Sequence, residues 1–188
     1  MISFIRNLFS KNAQNKQHPN KLKWPMNINP INVYIDPIKL PYYAEQENIY
    51  RNMVIQALKV WSIASGETIK FEITDSLYDS SINVEWKEGN GEKFGECSYN
   101  YGPKGVLYSA TISVNLITER IDGIDYNTEI YHGILHCVGL ALGLPNTDNP
   151  DDIMCSPHQF GKIELSENDK NAIYNLYNPV TEDDTYKQ

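Results

Sequence analysis

One stretch of the sequence decides the fold: Leu135-His136-Cys137-Val138-Gly139-Leu140-Ala141-Leu142-Gly143-Leu144-Pro145-Asn146, followed shortly by Asp152-Ile153-Met154. Its apolar residues recur at the three- and four-residue spacing of a helix, and this pattern extends back to about Asn127, an N-cap residue type. Gly143 has no side chain and therefore suits a helix end. The stretch predicts a largely apolar, central helix that stops near Gly143 and leads into a loop.

Outside this helix, four segments alternate apolar and polar residues with a period of two. Such alternation indicates β-strands with one buried face, so we expect a sheet that is covered on one side. The alternating residues are Ile31, Val33 and Ile35; Ile69, Phe71 and Ile73; Ile82, Val84 and Trp86; and Ala110, Ile112, Val114 and Leu116.

Two further helices are predicted between and after the strands. An apolar stripe from Tyr50 to Ala64 has the spacing of an amphipathic helix and ends near Gly66. A third helix should follow Ser166, a capping residue type with Asp169 three positions later, and stop before a proline. We therefore predict an α+β fold with a mixed sheet of about five strands and three helices.

Length and charge exclude several classes of function. At 188 residues, with 41% of them hydrophobic, the chain can bury one sizeable core. Its 16 Lys and Arg against 24 Asp and Glu give a formal charge of -8, which repels phosphate backbones. No window approaches the roughly 18 consecutive apolar residues of a membrane span. We expect no nucleic-acid partner and no membrane-spanning segment.

The two ends differ in composition from the centre. Residues 10–23 are rich in Lys, Asn and Gln, and the end of the chain is acidic and polar. We therefore predict a flexible N-terminal arm at 1–23, one domain at 24–178 and a disordered acidic tail at 179–188.

Cysteine usage and the N-terminus bear on the compartment. Cys97, Cys137 and Cys155 are an odd number at wide spacing, which argues against a disulfide framework and favours a reducing compartment. Residues 1–9 are apolar but lack the small-residue cleavage site of a secretory signal. We expect a cytoplasmic protein.

The stretch at 135–154 resembles the metzincin zinc-peptidase signature HExxHxxGxxH with its downstream Met-turn, in the matrixin form LHExGHALGLxH followed by DIM. Other elements sit where matrixins have theirs, among them Trp61, the strand at Ile82–Trp86 and the last helix. The resemblance implies a metzincin-like (zincin) fold over residues 24–178, in which an active-site helix is followed by a Met-turn at Met154. The residues that match the matrixin form in register are Gly139, Ala141, Leu142, Gly143 and Leu144.

The resemblance also implies a role for each chemical position of the motif. In the family, two histidines one helical turn apart and a third beyond the glycine hold zinc, and the glutamate activates the bound water. Here only the first ligand, His136, is present; Cys137 stands at the general-base position, and Leu140 and Asn146 stand at the other ligand positions. Losing the base alone costs roughly 10²–10⁴-fold in rate. We therefore expect no cofactor and no peptidase activity.

A rearranged metal site is the alternative. His132 precedes His136 by one helical turn, which is the spacing of two zinc ligands. A third ligand would have to come from a residue such as His158 or Asp148. In the other interpretation, His132 is a core or capping histidine and His158 is a loop residue.

Cysteine chemistry does not replace the missing base. Cys137 is next to His136 in the helix, so the two side chains diverge by about 100° and cannot form a nucleophile–base pair. Cys97, in Gly95-Glu96-Cys97, is predicted to be a small buried or loop residue.

The sequence leaves three functions open. The first is a pseudo-peptidase that binds an extended peptide or a protein partner in the former cleft, because pairing with an edge strand needs only backbone groups. The second is an active zinc metalloendopeptidase that uses His132, His136 and another ligand. The third is a purely structural role with the cleft filled by Leu140 and its neighbours. An open groove would count against the third.

Overall fold

The computed structural model describes residues 21–91, 93–117 and 125–179. Within these residues it contains one five-stranded sheet and three α-helices, so the predicted α+β class with a mixed sheet is confirmed. Short 3₁₀ turns complete the connections. The strands are β1 (Ile31–Ile35), β2 (Phe71–Thr74), β3 (Ile82–Gly89), β4 (Gly95–Tyr101) and β5 (Leu107–Ile117), and the helices are α1 (Glu47–Ala64), α2 (Tyr126–Ala141) and α3 (Glu167–Tyr177).

The sheet has the strand order β2-β1-β3-β5-β4. The first four strands in this order run parallel, and β4 pairs antiparallel with β5. Buried and partly exposed residues alternate along β1 and at the start of β3, as the period of two predicts for strands with one covered face. The β4 strand lies at one edge of the sheet.

Strand β4 is not among the segments that the sequence analysis predicted as strands, and Cys97, predicted as a small buried or loop residue, is half-buried in it. Cys97 lies in the middle of β4 and pairs with Ile112 of β5. The segment contains no aliphatic residue, so its partly buried positions are filled by glycine, cysteine and tyrosine instead. A strand of this composition is stabilised by its pairing and packing rather than by intrinsic preference.

Helix α2 lies at the centre of the core, and two tryptophan side chains donate hydrogen bonds to its backbone carbonyls. The indole N–H of Trp61, on α1, donates to the Leu135 carbonyl at 2.9 Å, and that of Trp24 donates to the Ala141 carbonyl at 2.8 Å. Both tryptophans are completely or almost completely buried. Because α2 is apolar on most sides, it fits between α1 and the sheet as the sequence predicts.

The two ends of α2 differ in how well the sequence predicted them. The N-cap is Asp125, whose carboxylate accepts the backbone N–H of Asn127, so the prediction of Asn127 as N-cap is wrong. At the other end, Gly143 has φ +95° and donates its N–H to the Leu140 carbonyl, as expected for a glycine that ends a helix. A side chain at Gly143 would overlap the carbonyl of Leu22.

The predicted arm and tail fall largely outside the described residues. Of the arm, Leu22 contacts Gly143, and Lys23 forms a bridge with Val106. The helices of the described residues are all too short or too polar to cross a membrane.

Candidate functional site

The chain returns beneath α2 in a closed loop, residues 147–155, which we call the Met154 loop. Its two ends are joined by a bridge between Thr147 and Cys155, with the Thr147 N–H donated to the Met154 carbonyl at 2.8 Å. The buried Asp169 carboxylate, on α3, accepts the backbone N–H groups of Ile153 at 2.7 Å and Met154 at 3.3 Å. The loop is therefore fixed at its base and at the two residues that precede Cys155.

Asp169 serves a second purpose in the same place. Its side chain also accepts the Ser166 N–H, while the Ser166 hydroxyl accepts the Asp169 N–H, which makes the capping box of α3. The sequence predicted this cap. It did not predict that the same carboxylate would hold the Met154 loop, which lies far from the cap in the chain.

Asp152 is a second buried carboxylate in this loop. Its oxygens accept hydrogen bonds from Ser166 and Asn168 at 2.7 Å each and from Asn149 at 2.8 Å. Burial raises the pKa of Asp152, but these hydrogen bonds outweigh burial and hold it below its usual value. The carboxylate is thus charged and fully engaged in fixing the loop.

Met154 packs directly against the backbone of α2. It is almost completely buried, and a Cβ placed on Gly139 would overlap its sulfur and lie 2.9 Å from the Trp61 ring. Only glycine permits this approach between helix and loop. The Met154 thioether therefore lies beneath the turn of α2 that carries the sequence-predicted site residues.

His136 and Asn146 meet above this loop although α2 ends between them. The His136 Nδ1–H donates to the Ile153 carbonyl at 2.8 Å, and the Asn146 side chain lies near the His136 ring. Burial lowers the pKa of His136 below its ordinary value, and the Ile153 carbonyl and the Asn146 side chain oppose the effect only in part. The neutral imidazole is therefore oriented with Nδ1 on the loop.

The other two motif positions carry no chemistry here. The Cys137 thiol is buried against Gly95 of β4, and burial raises its pKa, so the thiol is neither a base nor a ready nucleophile. Leu140 is half-buried and packs on the hydrophobic core. On β4, burial raises the pKa of Cys97 to about 12.

A cavity of about 350 Å³ opens beside His136. It lies between the beginning of β4, helix α2 and the segment that follows the Met154 loop. It is large enough for one amino-acid side chain. The lining residues are Lys93, Phe94, Gly95 and Glu96; Gly133, His136 and Cys137; and Cys155, Ser156, Pro157 and His158.

The outer edge of β4 runs beside this cavity. The Asn115 N–H donates to the Phe94 carbonyl. Because alternate residues of an antiparallel strand bond to the same neighbour, the backbone groups of Glu96 and Ser98 also form hydrogen bonds with β5. The backbone groups of the alternate residues Gly95, Cys97 and Tyr99 then point outwards. Among the described residues no strand pairs with this edge.

A second hollow, of about 500 Å³, lies between α1 and β2 and is larger than the first. Its walls are mainly aliphatic, with Lys59, Glu67 and Lys70 as charged groups. None of the motif positions lines it, so we place the candidate site at the cavity beside His136.

The alternative ligand His132 is completely buried. Its Nδ1–H donates to the Lys162 carbonyl at 2.9 Å, and its Nε2 has no hydrogen-bond partner. Burial, together with the nearby His158, lowers the pKa of His132 to about 4. The ring is therefore neutral, and it contacts the His158 ring edge-on at 4.1 Å between centroids.

The residues at the site do not fit zinc in the arrangement of the motif. Leucine offers no ligand atom at position 140, and asparagine at position 146 is not among the usual zinc ligands. In the part of the chain that the structure describes, no three His, Cys, Asp or Glu side chains are placed to hold a metal ion together. This includes the set built on His132, His136 and His158.

Sequence reasoning missed Glu129. This buried residue of α2 contacts His158 through a 2.7 Å hydrogen bond between Oε2 and Nε2. A signal was present in the sequence, since Glu129 lies three residues before His132 on the same helix face and is charged in an otherwise apolar pattern.

Comparison with known proteins shows a similarity of fold only. No protein-family model and no curated protein matches the chain. A chain in the solved structure titled "GM1 bound form of the ECX AB5 holotoxin" has a similar fold, with a TM-score of 0.57, 13% sequence identity and 85% of each chain covered. At that identity the likeness concerns the arrangement of elements and not the chemistry of the site.

Proposed function

We propose that this protein is a matrixin-like metzincin domain without peptidase activity, which binds an extended peptide or protein segment in its cleft. The observation that carries the proposal is the unpaired outer edge of β4 beside an open cavity. An extended chain could add to this edge through main-chain hydrogen bonds and place one side chain in the cavity.

The proposed metzincin register is supported by the meeting of His136 and Asn146. In the motif these are the first and third ligand positions, and a glycine turn must bring them together. Here the two side chains lie near each other, with Gly143 in the turn between them and Met154 beneath α2.

The proposed inactivity rests on the residues that replace the general base and two zinc ligands of the motif. Hydrolysis of a peptide bond needs a base or metal to activate water. The residue at the base position, Cys137, keeps its proton because its thiol is buried. The cavity also counts against the third function, since Leu140 packs on the core and does not fill the cleft.

One observation favours the alternative of an active metalloendopeptidase. His132 has its Nδ1–H fixed on a carbonyl, which leaves the Nε2 lone pair unpartnered, as in histidines that ligate metals. We therefore test metal and activity together. Protein purified without chelators should contain well under one equivalent of zinc by plasma mass spectrometry and should cleave no unfolded casein. Stoichiometric zinc with chelator-sensitive cleavage would establish the alternative, and His132→Ala should then abolish both.

Peptide binding is tested at the edge of β4. Random 12-residue peptides displayed on phage are selected on the wild-type protein, and the selected peptides are synthesised and titrated by fluorescence anisotropy. Cys97→Pro removes an outward N–H without removing a bond to β5, and proline is tolerated at such edge positions. We expect it to weaken binding at least tenfold. Cys97→Ala keeps the N–H and should bind like the wild type; equal binding by both variants would rule out pairing with β4.

A further inference from the structure

Glu129 is a buried carboxylate in the apolar helix α2. Its side chain is 5% exposed, and among the described residues no lysine or arginine pairs with it. A buried charge is costly unless hydrogen bonds compensate it. Both oxygens of Glu129 are engaged, Oε2 with His158 Nε2 at 2.7 Å and Oε1 with the Gly161 N–H at 2.8 Å.

Both partners of Glu129 belong to one segment, residues 156–162, which we call the wall segment. A third contact from α2 reaches the same segment, because the His132 Nδ1–H donates to the Lys162 carbonyl. In the described residues no main-chain hydrogen bond joins the wall segment to α2. Side chains of α2 therefore make three hydrogen bonds to this segment, and Glu129 makes two of them.

The wall segment forms the side of the cavity opposite β4. Ser156, Pro157 and His158 line it, and the His158 ring lies 4.9 Å from the ring of Phe94, which stands just before β4. Phe160 completes an aromatic cluster with these two rings. A shift of His158 would therefore change the width of the cavity at the end where β4 begins.

We propose that Glu129 is a positioning residue for the cleft, which holds the wall segment and thereby sets the shape of the cavity and its affinity for a bound peptide. This inference rests on the proposed function, since it assigns a residue that prepares the peptide site. Glu129 lies behind the wall and does not line the cavity, so it acts through His158 and Gly161.

The test compares Glu129→Gln with Glu129→Leu. The glutamine can still accept the Gly161 N–H through its oxygen and can donate through its amide to His158 Nε2 in the tautomer that leaves this nitrogen unprotonated, whereas the leucine is of similar size and can do neither. Amide hydrogen exchange measured by NMR follows Gly161 and its neighbours, with amides of β3 and β5 as an internal reference. We expect Gly161 to exchange at least tenfold faster in Glu129→Leu and near the wild-type rate in Glu129→Gln.

The second measurement is the affinity of the phage-selected peptides. We expect Glu129→Leu to weaken binding at least tenfold and Glu129→Gln to restore it. Faster exchange at β3 and β5 as well would indicate general destabilisation and overturn the proposal. Unchanged exchange at Gly161, or unchanged affinity despite a loosened wall, would also overturn it.

Two provisions keep the test decisive. If no selected peptide binds the wild-type protein, the proposed function fails, while exchange at Gly161 still decides whether Glu129 holds the wall segment. If Glu129→Leu does not fold, His158→Phe replaces it, because phenylalanine can keep the ring contact with Phe94 while losing the bond to Glu129. The same direction of change is expected, and its absence would contradict the proposal.

Discussion

The two sides of α2 near its C-terminal end differ in how tightly they are constrained. Beneath the helix, Gly139 contacts Met154 and Trp61 so closely that no side chain fits, and Asp169 holds the Met154 loop. On the cleft side, the His136 and Asn146 side chains lie near each other, and an open cavity adjoins His136. The lower side is packed to fix the backbone, whereas the cleft side is free for a ligand.

This difference teaches which residues the fold depends on. Substitutions at the packed positions must displace backbone or leave buried N–H groups without partners, which is expensive. Substitutions at Cys137, Leu140 and Asn146 change side chains next to a cavity or a half-buried surface. The backbone around α2 can therefore persist when the side chains on its cleft side are different.

The largest effect should come from restoring the motif on the cleft side. The triple change Cys137→Glu, Leu140→His and Asn146→His introduces the general base and two histidines. Together with His136, these two histidines make the three zinc ligands that the proposed register requires. We expect zinc binding with a Kd of about 1 μM or tighter, about 8 kcal/mol, in competition with a chromophoric chelator. Peptidase activity should return only in part, because the supporting residues around the site also matter.

The control for this experiment adds His136→Ala to the triple variant, which should lose the gained zinc affinity. If the triple variant folds but binds zinc no better than its parent, the three positions do not converge and the matrixin register is wrong. The cleft side of α2 would then not correspond to the metal site of a matrixin.

The next effect concerns the helix end. Gly143→Ala should lower the free energy of unfolding by about 3 kcal/mol, because a Cβ at φ +95° meets the Leu22 carbonyl. Gly161→Ala is the matched control, since Gly161 also has positive φ, +78°, but open space around it. It should cost about 1 kcal/mol. Urea unfolding followed by tryptophan fluorescence measures both, and equal losses would mean that the contact with Leu22 is unimportant.

A smaller effect is expected from the carboxylate beneath α2. Asp169→Ala leaves the N–H groups of Ile153 and Met154 buried without partners and should cost about 2 kcal/mol. Asp151→Ala removes only an exposed ion pair with Lys162 and should cost less than about 1 kcal/mol. Both are measured by urea unfolding. Similar values for the two variants would show that Asp169 does not fix the Met154 loop.

The smallest effect should be that of a chelator. The core of Ile, Val, Leu and Trp is large enough to hold the domain without a metal, unlike the small modules in which structural zinc contributes about 10–16 kcal/mol. Adding EDTA should therefore leave the Tm of the wild-type protein unchanged in differential scanning calorimetry. A large fall in Tm would reveal a structural metal.

Local patterns predicted most of the architecture. The periodicity of Tyr50–Ala64 and the capping pair Ser166 and Asp169 led to the right helices, because such signals depend on neighbours in the chain. The same reasoning gave Asn127 as the N-cap, whereas the structure has Asp125 there; both residue types cap equally well, and only the backbone path separates them. The candidate site was located through the matrixin resemblance of residues 135–154.

What the sequence by itself determined is the set of elements with clear local signals, namely α1, α2, α3 and the strands β1, β2, β3 and β5. The tertiary structure decided the rest. Strand β4 exists because β5 pairs with it, and Glu129 meets His158 because the chain folds back on α2. Such contacts join residues far apart in the chain, and no local sequence pattern indicates which distant residue will make the contact.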